Sequence, residues 1–330
     1  MQSLIVDLMD SLKGLQETAT NRLQTFAPNE TSRKMMMKPL KPRATISFAI
    51  IALAILFNSA HAGDYVSVDS VHDVSLHYEQ AGAGPQVVVF VPGWTMTTQF
   101  FKHQLAHYTG SKSVRFITYD PRAHGRSTKT VEGANYAAHA ADLKAFIDAL
   151  DLENIVLGGW SWGGVTVYEY LDAYGTDKLA GVILMDQTPR PLPLDEDSWT
   201  DGGNDVAHEF FRSFVTDRIG AVKEFIPWMY TKGVSKAEAA WMLEDSMLTP
   251  TAVASLLLYD GWMVDHRDTI KKVTIPQLHV VRADQQTYAE AYLKTHVPNA
   301  QRVFMGGHGQ FFDHAESFNE KLDAFLAKLR

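Results

Sequence analysis

The sequence predicts an α/β domain with a mostly parallel central sheet, helices on both faces and an inserted helical lid. Three observations carry this. From residue 64 onward, apolar runs of strand length alternate with stretches of helical periodicity, the pattern of strands joined by crossover helices. The alternation is interrupted once, over about 191–274, which holds helical patterns and no convincing strand. The apolar run 155–157 passes through Gly159-Trp160-Ser161-Trp162-Gly163 directly into a helical pattern beginning at Val165, a strand-turn-helix whose glycines permit a tight turn.

Composition sets the outer bounds. The 330 residues are 46% hydrophobic and 21% charged, an ordinary globular balance that allows one large α/β domain or two small ones. The net charge of −8 is spread along the chain and no basic patch interleaved with aromatics occurs, which argues against nucleic acid as a partner. There is no cysteine, so disulfides, thiolate metal sites and cysteine nucleophiles are excluded while the compartment stays open. Nothing in the sequence indicates a cofactor or a protein partner.

The compartment is read from residues 37–62. Lys38, Lys41 and Arg43 precede an apolar run over 44–57, and Ala60-His61-Ala62 follows it. This is a basic n-region, an h-region and an Ala-x-Ala cleavage site, so a signal peptide cut after Ala62 and a periplasmic or secreted product are expected. The run is shorter than the roughly 20 residues a spanning helix needs, which leaves an uncleaved N-terminal anchor as the alternative. The absence of cysteine excludes a lipoprotein anchor. Residues 1–36 stand ahead of this signal as a weakly amphipathic stretch and a polar one. They read as a non-native or disordered extension, with Met35, Met36 and Met37 offering alternative starts.

The remaining 63–330 is read as one domain. Stretches 65–69 and 74–80 pair as strands around a turn at 70–73, with apolar alternation at Val74, Leu76 and Tyr78. Stretch 86–91 is almost continuously apolar, the mark of a strand buried on both faces, and ends at Pro92-Gly93-Trp94. A helix over 98–108, a strand over 114–119 and a loop over 127–133 follow. The next helix, 136–150, places Ala140, Leu143, Phe146, Ile147 and Leu150 on its apolar face. After the turn at Ser161 and its helix comes the strand 179–185, which ends in Asp186. The lid carries helical patterns over 206–215, 219–230, 235–243 and 251–262, with Trp199, Trp228, Trp241 and Trp262. Alternation then resumes with strand 277–281, helix 287–296, strand 301–305 and helix 315–329.

The turn at 159–163 fits G-x-S-x-G, which pushes its serine out at the top of a sheet above a helix N-terminus that favours developing negative charge. The competing reading is an ordinary glycine-rich turn. A serine hydroxyl is a poor nucleophile without a base and a group that orients the base. Of thirteen histidines, His308 is the best base, because it follows the last strand within Gly306-Gly307-His308-Gly309 and so reaches the edge that carries Ser161. His314 reads as a cap or surface residue. Two aspartates compete as the acid: Asp186 at the end of its strand and Asp284 just after the strand 277–281. Both lie at the carboxyl edge, where ligands collect in open α/β sheets, and Asp186 is preferred because it sits immediately at its strand end. Acyl transfer also needs backbone donors for an oxyanion, and the amides of Trp94 and Trp162 are the candidates. Their side chains and Trp160 would wall an aromatic substrate pocket. The stretch Tyr119-Asp120-Pro121-Arg122-Ala123-His124-Gly125 reads as architectural, with Asp120 paired to Arg122. His103 and His107 have i, i+4 spacing, but Gln104 replaces the glutamate of H-E-x-x-H, so no metal site is expected.

These stretches together resemble the α/β-hydrolase superfamily over nearly all of 64–330, through V-P-G-W at 91–94, Y-D-P-R-A-H-G-R-S at 119–127, G-W-S-W-G at 159–163 and G-G-H-G at 306–309. Within it the chain looks like the branch of small esterases and non-heme chloroperoxidases. That resemblance implies the α/β-hydrolase fold, a Ser161 nucleophile, a His308 base, oxyanion donors at Trp94 and Trp162, and no cofactor. Two departures stand out: Pro92 replaces a common histidine, and the usual G-x-x-D reads Ala283-Asp-Gln-Gln286. Met185-Asp186-Gln-Thr-Pro189 is similar to relatives whose acid sits after the earlier strand. The expected activity is therefore cleavage of carboxylic esters, lactones among them, from small apolar or aromatic substrates. Two alternatives accompany it: a cofactor-independent dioxygenase of the same fold acting on a hydroxylated heteroaromatic ring, and a binding protein that has lost the chemistry. Haloalkane dehalogenation would require an aspartate in place of Ser161.

Overall fold

Eight strands form a single sheet in the order β1-β2-β4-β3-β5-β6-β7-β8. They are β1 (Asp64–Asp69), β2 (Val74–Ala81), β3 (Gln86–Val91), β4 (Val114–Tyr119), β5 (Ile155–Trp160), β6 (Leu179–Met185), β7 (Gln277–Val281) and β8 (Gln301–Phe304). β2 runs antiparallel to β1 and β4, and every pair from β4 through β8 is parallel. The computed structural model describes residues 63–193, 199–200 and 202–329, so the predicted signal segment and the extension before it lie outside the described residues. No helix among the described residues is long and apolar enough to cross a membrane.

The nearly continuous apolar runs of the central strands follow from burial on both sides. Successive side chains of a strand point to opposite faces, and the two faces form two separate cores. Val88, Phe90, Phe116, Val156, Ile183 and Val280 belong to one; Val87, Val89, Ile117, Leu157, Val182 and Val281 belong to the other. The first is covered by α1 (Lys102–Tyr108) and α10 (Ala315–Leu326), the second by α2 (Tyr136–Ala149), α3 (Trp162–Tyr174) and α9 (Gln286–His296). Phe90, Phe101, Phe116, Phe311 and Phe318 interlock edge-on or tilted beneath the first face, and each fully buried ring of this kind stabilises by about 2–3 kcal/mol.

The predicted insertion is helical. It comprises α4 (Asn204–Thr216), α5 (Arg218–Trp228), α6 (Lys236–Met247), α7 (Thr251–Met263) and α8 (Arg267–Lys272). A capping box starts α6, with Ser235 and Glu238 exchanging side-chain-to-backbone bonds, which satisfies amides that would otherwise be orphaned. The four tryptophans of this region do not act together. Trp199 packs into the core on the far side of the sheet, near Tyr292. Trp241 lies on Phe100 and Phe312. Only Trp228 and Trp262 of the four line the cavity described below.

The loop after β4 departs from its predicted pairing. Asp120 does not meet Arg122; its carboxylate takes His77 Nδ1 at 3.1 Å and the N–H groups of Thr98 and Arg126 at 2.8 Å. Arg122 turns the other way and grips Asp142 of α2 with two bonds of 2.6 Å, adding Asp69 at 3.2 Å. The chain leaves the strand direction in a turn at 122–123, with Ala123 at φ 63°, so the two side chains find their partners in different directions. The loop is architectural, by other bonds than those predicted.

Burial keeps three histidines neutral in the fold: His124 is pushed down to about 4, His279 to about 3 and His139 well below its ordinary value. Unfolding frees each to take up a proton below about pH 6.5, so stability falls as pH drops from there towards 4, by up to about 1.4 kcal/mol per unit for each histidine. Asp245 acts in the opposite sense, because burial raises its carboxyl to about 7 against a hydrogen bond from Thr97. Asp142 and Asp260, also raised by burial, act with Asp245 through smaller shifts, and the three histidines still leave a net loss. Urea denaturation at pH 7, 5.5 and 4.5 is expected to show a midpoint that decreases at each step.

Candidate active site

The parallel strands bring the ends of β3, β5 and β6 and the segment after β8 to one edge of the sheet. Val91 is level with Gly159, Trp160 with Met185, Met185 with Val280, and Val281 with Phe304. Chain order reverses where β3 is flanked by β4 and β5, and such a switch point opens a crevice at the carboxyl ends.

Ser161 links β5 to α3 with φ 51° and ψ −132°, a strained region that costs a non-glycine residue about 1–3 kcal/mol. The surroundings enforce it. The Ser161 N–H donates to Met185 O at 2.9 Å, and the Gly164 N–H donates to Ser161 O at 2.7 Å. A Cβ at Gly159 would lie 2.5 Å from Gly163 O, and one at Gly163 would lie 2.3 Å from Val91 O. The motif glycines are thus required by backbone packed against backbone. Trp162 opens α3, where the first N–H groups have no intrahelical acceptor. The turn that carries Trp94 presses on this elbow, since a Cβ at Gly93 would come within 3.1 Å of Ser161 Cβ.

His308 Nδ1 lies 2.5 Å from Asp186 Oδ2, across 122 residues of chain. Asp186 leaves β6 with φ 48°, which turns its side chain along the sheet edge towards the His308 loop. Burial alone would raise its carboxyl, but the His308 hydrogen bond and the charges of His308 and Arg282 outweigh burial and hold it below its ordinary value. An ionised carboxylate only accepts, so the Nδ1 that faces it carries a proton and donates. The His308 carbonyl accepts the Trp160 indole N–H at 2.8 Å. Trp160 is 1% exposed, so it braces His308 from within the core as well as contributing to the cavity wall. Asp284, the other candidate acid, is not brought to His308: its side chain is 74% exposed and lies 3.1 Å from Arg282 Nε.

Arg282 was not singled out in the sequence. Its N–H and Nη1 donate to the two oxygens of Asp186 at 3.0 and 3.3 Å, and its guanidinium lies 5.3 Å over the Trp228 ring. An arginine immediately after an apolar strand, at the edge where Asp186 ends its own strand, was the available signal. The other histidines weighed in the sequence fall elsewhere. His314 bonds Thr231 Oγ1 at 2.8 Å, His107 pairs with Asp323 at 2.9 Å, and His103 lies edge-on to Phe312. No group of metal-ligating side chains occurs among the described residues.

Ser161, His308, Trp94, Trp160 and Trp162 line one cavity of about 660 Å³, together with Phe210, Phe225, Trp228 and Trp262 of the lid. The Trp94 and Trp162 rings meet edge-on at 6.0 Å, and Trp262 continues the wall against Trp162 at 5.5 Å. A serine on a strained elbow, a histidine–carboxylate pair and an aromatic cavity at the carboxyl edge of such a sheet define the architecture of an α/β-hydrolase.

Comparison with known proteins agrees. Residues 86–222 match the family model for the alpha/beta hydrolase fold. The chain is 27% identical over 275 residues to the non-heme chloroperoxidase CPO-A1 of Kitasatospora aureofaciens, covering 77% of this chain and 97% of that protein. It is 29% identical over 130 residues to the bifunctional esterase/perhydrolase DCH of Acinetobacter calcoaceticus, covering 39% of this chain and 46% of that protein. The solved esterase EaEST from Exiguobacterium antarcticum has the same fold, with a TM-score of 0.73 at 24% identity, covering 80% of this chain and 99% of that one. The chain has the α/β-hydrolase fold and is similar to esterases and non-heme chloroperoxidases. It is a hydrolase of that fold with esterases among its homologues.

Proposed function

We propose that this chain is a serine hydrolase that cleaves carboxylic esters, lactones included, through an acyl-enzyme. The observation that carries the reading is the 2.5 Å contact between His308 Nδ1 and ionised Asp186, beside a cavity that Ser161 shares. His308 Nε2 takes the Ser161 proton as Oγ attacks the carbonyl carbon. The resulting oxyanion is held by the amides of Trp94 and Trp162, one from the turn after β3 and one from the start of α3. The imidazolium then protonates the leaving alcohol, or the alkoxide arm of an opened lactone. Water, deprotonated by the same nitrogen, attacks the acyl-enzyme and releases the acid and the serine. The aromatic lining favours apolar or aromatic acyl and alcohol groups. The sequence of residues 37–62 supports action after export.

Fluorophosphonate labelling read by peptide mass spectrometry tests this reading. One adduct per chain, on Ser161, is expected. A folded protein that takes no adduct would defeat it, and oxygen uptake with a 3-hydroxyquinolone-type ring would then distinguish the dioxygenase from a binding protein.

A further inference from the structure

The turn after β3 contains Gly93, Trp94, Thr95, Met96 and Thr97, and the lid is bonded to three of these five. The Trp94 indole N–H donates to Ala254 O of α7 at 2.8 Å. Thr95 Oγ1 and Ser246 Oγ of α6 share a hydrogen bond of 2.8 Å. Thr97 Oγ1 donates to Asp245 Oδ2 of α6 at 2.6 Å. Thr95, Thr97, Asp245 and Ser246 are all buried, so water does not substitute for these partners. From the sheet side there is one further hold, the Thr95 N–H on His124 Nε2 at 3.1 Å. Thr95 itself has φ 60°, a conformation that a threonine keeps only where its surroundings over-determine it. α6 is anchored in turn, because Arg218 at the start of α5 donates to Ser246 O at 2.7 Å.

From this we infer that the helical insertion sets the geometry of the oxyanion site, with Asp245 as a positioning residue that holds the Trp94 turn through Thr97. The inference rests on the serine-hydrolase reading above. Asp245 touches neither substrate nor the reacting atoms. It fixes a turn three residues beyond the donor amide, and a donor displaced by a fraction of an ångström loses much of its value, because the oxyanion exists only in the transition state and demands a preorganised N–H. The consequence is a specific kinetic signature: weaker transition-state binding with ground-state binding retained.

The test uses the full chain with Asp245→Ala, Asp245→Asn and Thr97→Val, after wild type has been shown to label at Ser161. For Asp245→Ala and Thr97→Val, kcat on a simple aryl ester is expected to fall about tenfold or more, short of the roughly hundredfold or greater loss on deleting an oxyanion donor outright. KM should stay within about twofold. Affinity for a trifluoromethyl ketone, which forms a tetrahedral adduct on the serine, should fall by the same factor as kcat/KM. Asp245→Asn restores an acceptor for Thr97 and should recover most of the loss. Thr97→Val removes the same bond from the other side, so the inference stays testable if the Asp245 variants do not fold. It is overturned if Thr97→Val leaves kcat and ketone affinity within twofold of wild type, or if the loss falls on KM alone. Absence of a Ser161 adduct in wild type would instead refute the hydrolase reading itself.

Discussion

Ester hydrolysis by Ser161→Ala is expected to be at least about a thousandfold below wild type, since a serine triad without its nucleophile retains only what binding and the oxyanion donors supply. The same substitution should leave the fold intact, because the hydroxyl makes no bond that the elbow depends on; the turn is held by the Ser161 backbone N–H and C=O. Ser161→Gly should be equally inactive and more stable. Its φ of 51° and ψ of −132° are native to glycine and cost serine about 1–3 kcal/mol, so a gain of about 1 kcal/mol is expected in urea denaturation. An inactive variant that outlasts wild type would show that the strain at this position serves reactivity. Activity above a few per cent of wild type in Ser161→Ala would refute the nucleophile assignment.

The second large effect is expected at Asp186. Asp186→Asn removes the charge that stabilises the His308 imidazolium and frees the ring to adopt the wrong tautomer, an exchange that lowers kcat by about ten-thousandfold in the best-studied triad. It also strips Arg282, itself only 8% exposed, of its buried counter-ion, so a loss of roughly 2–4 kcal/mol in stability is expected. The pH dependence of that loss follows from the direction of the Asp186 shift. A carboxyl held below its ordinary value stabilises the fold above the unfolded value near 3.9 and ceases to do so as pH falls through the folded value. The stability gap between wild type and Asp186→Asn should therefore narrow in acid and be widest at neutral pH. Asp284→Asn is the control. Its exposed carboxylate pairs with Arg282 alone, and pairs of that kind contribute about 0–1 kcal/mol, so activity within about threefold of wild type is expected. Comparable losses in the two variants would show that His308 is not oriented by Asp186.

Much of this was legible in the chain. The nearly continuous apolar run of β3 announced a strand buried on both faces, and G-W-S-W-G announced an elbow, because these patterns are set along short stretches of chain. The lid was legible mainly as a break in alternation: α5 and α7 have helical lengths and apolar content, but nothing in their spacing tells which side chains face the cavity. Trp199 shows the limit. It reads as one of four lid aromatics, yet it lies in the opposite core, near Tyr292.

The sequence by itself determined the kinds and order of the elements, the position of the elbow and the histidine that follows the last strand. Those follow from periodicity and from backbone that only glycine can pack. The tertiary structure alone decided which aspartate meets His308, that Asp120 and Arg122 look to opposite sides, that Arg282 shares the acid, and that Asp245 reaches Thr97 across 148 residues. The physical reason is common to all four. A hydrogen bond or ion pair depends on the direction in which a side chain leaves its backbone to within a few tenths of an ångström, and that direction is set by strand register and single φ values such as the 48° at Asp186, which no spacing along the chain encodes.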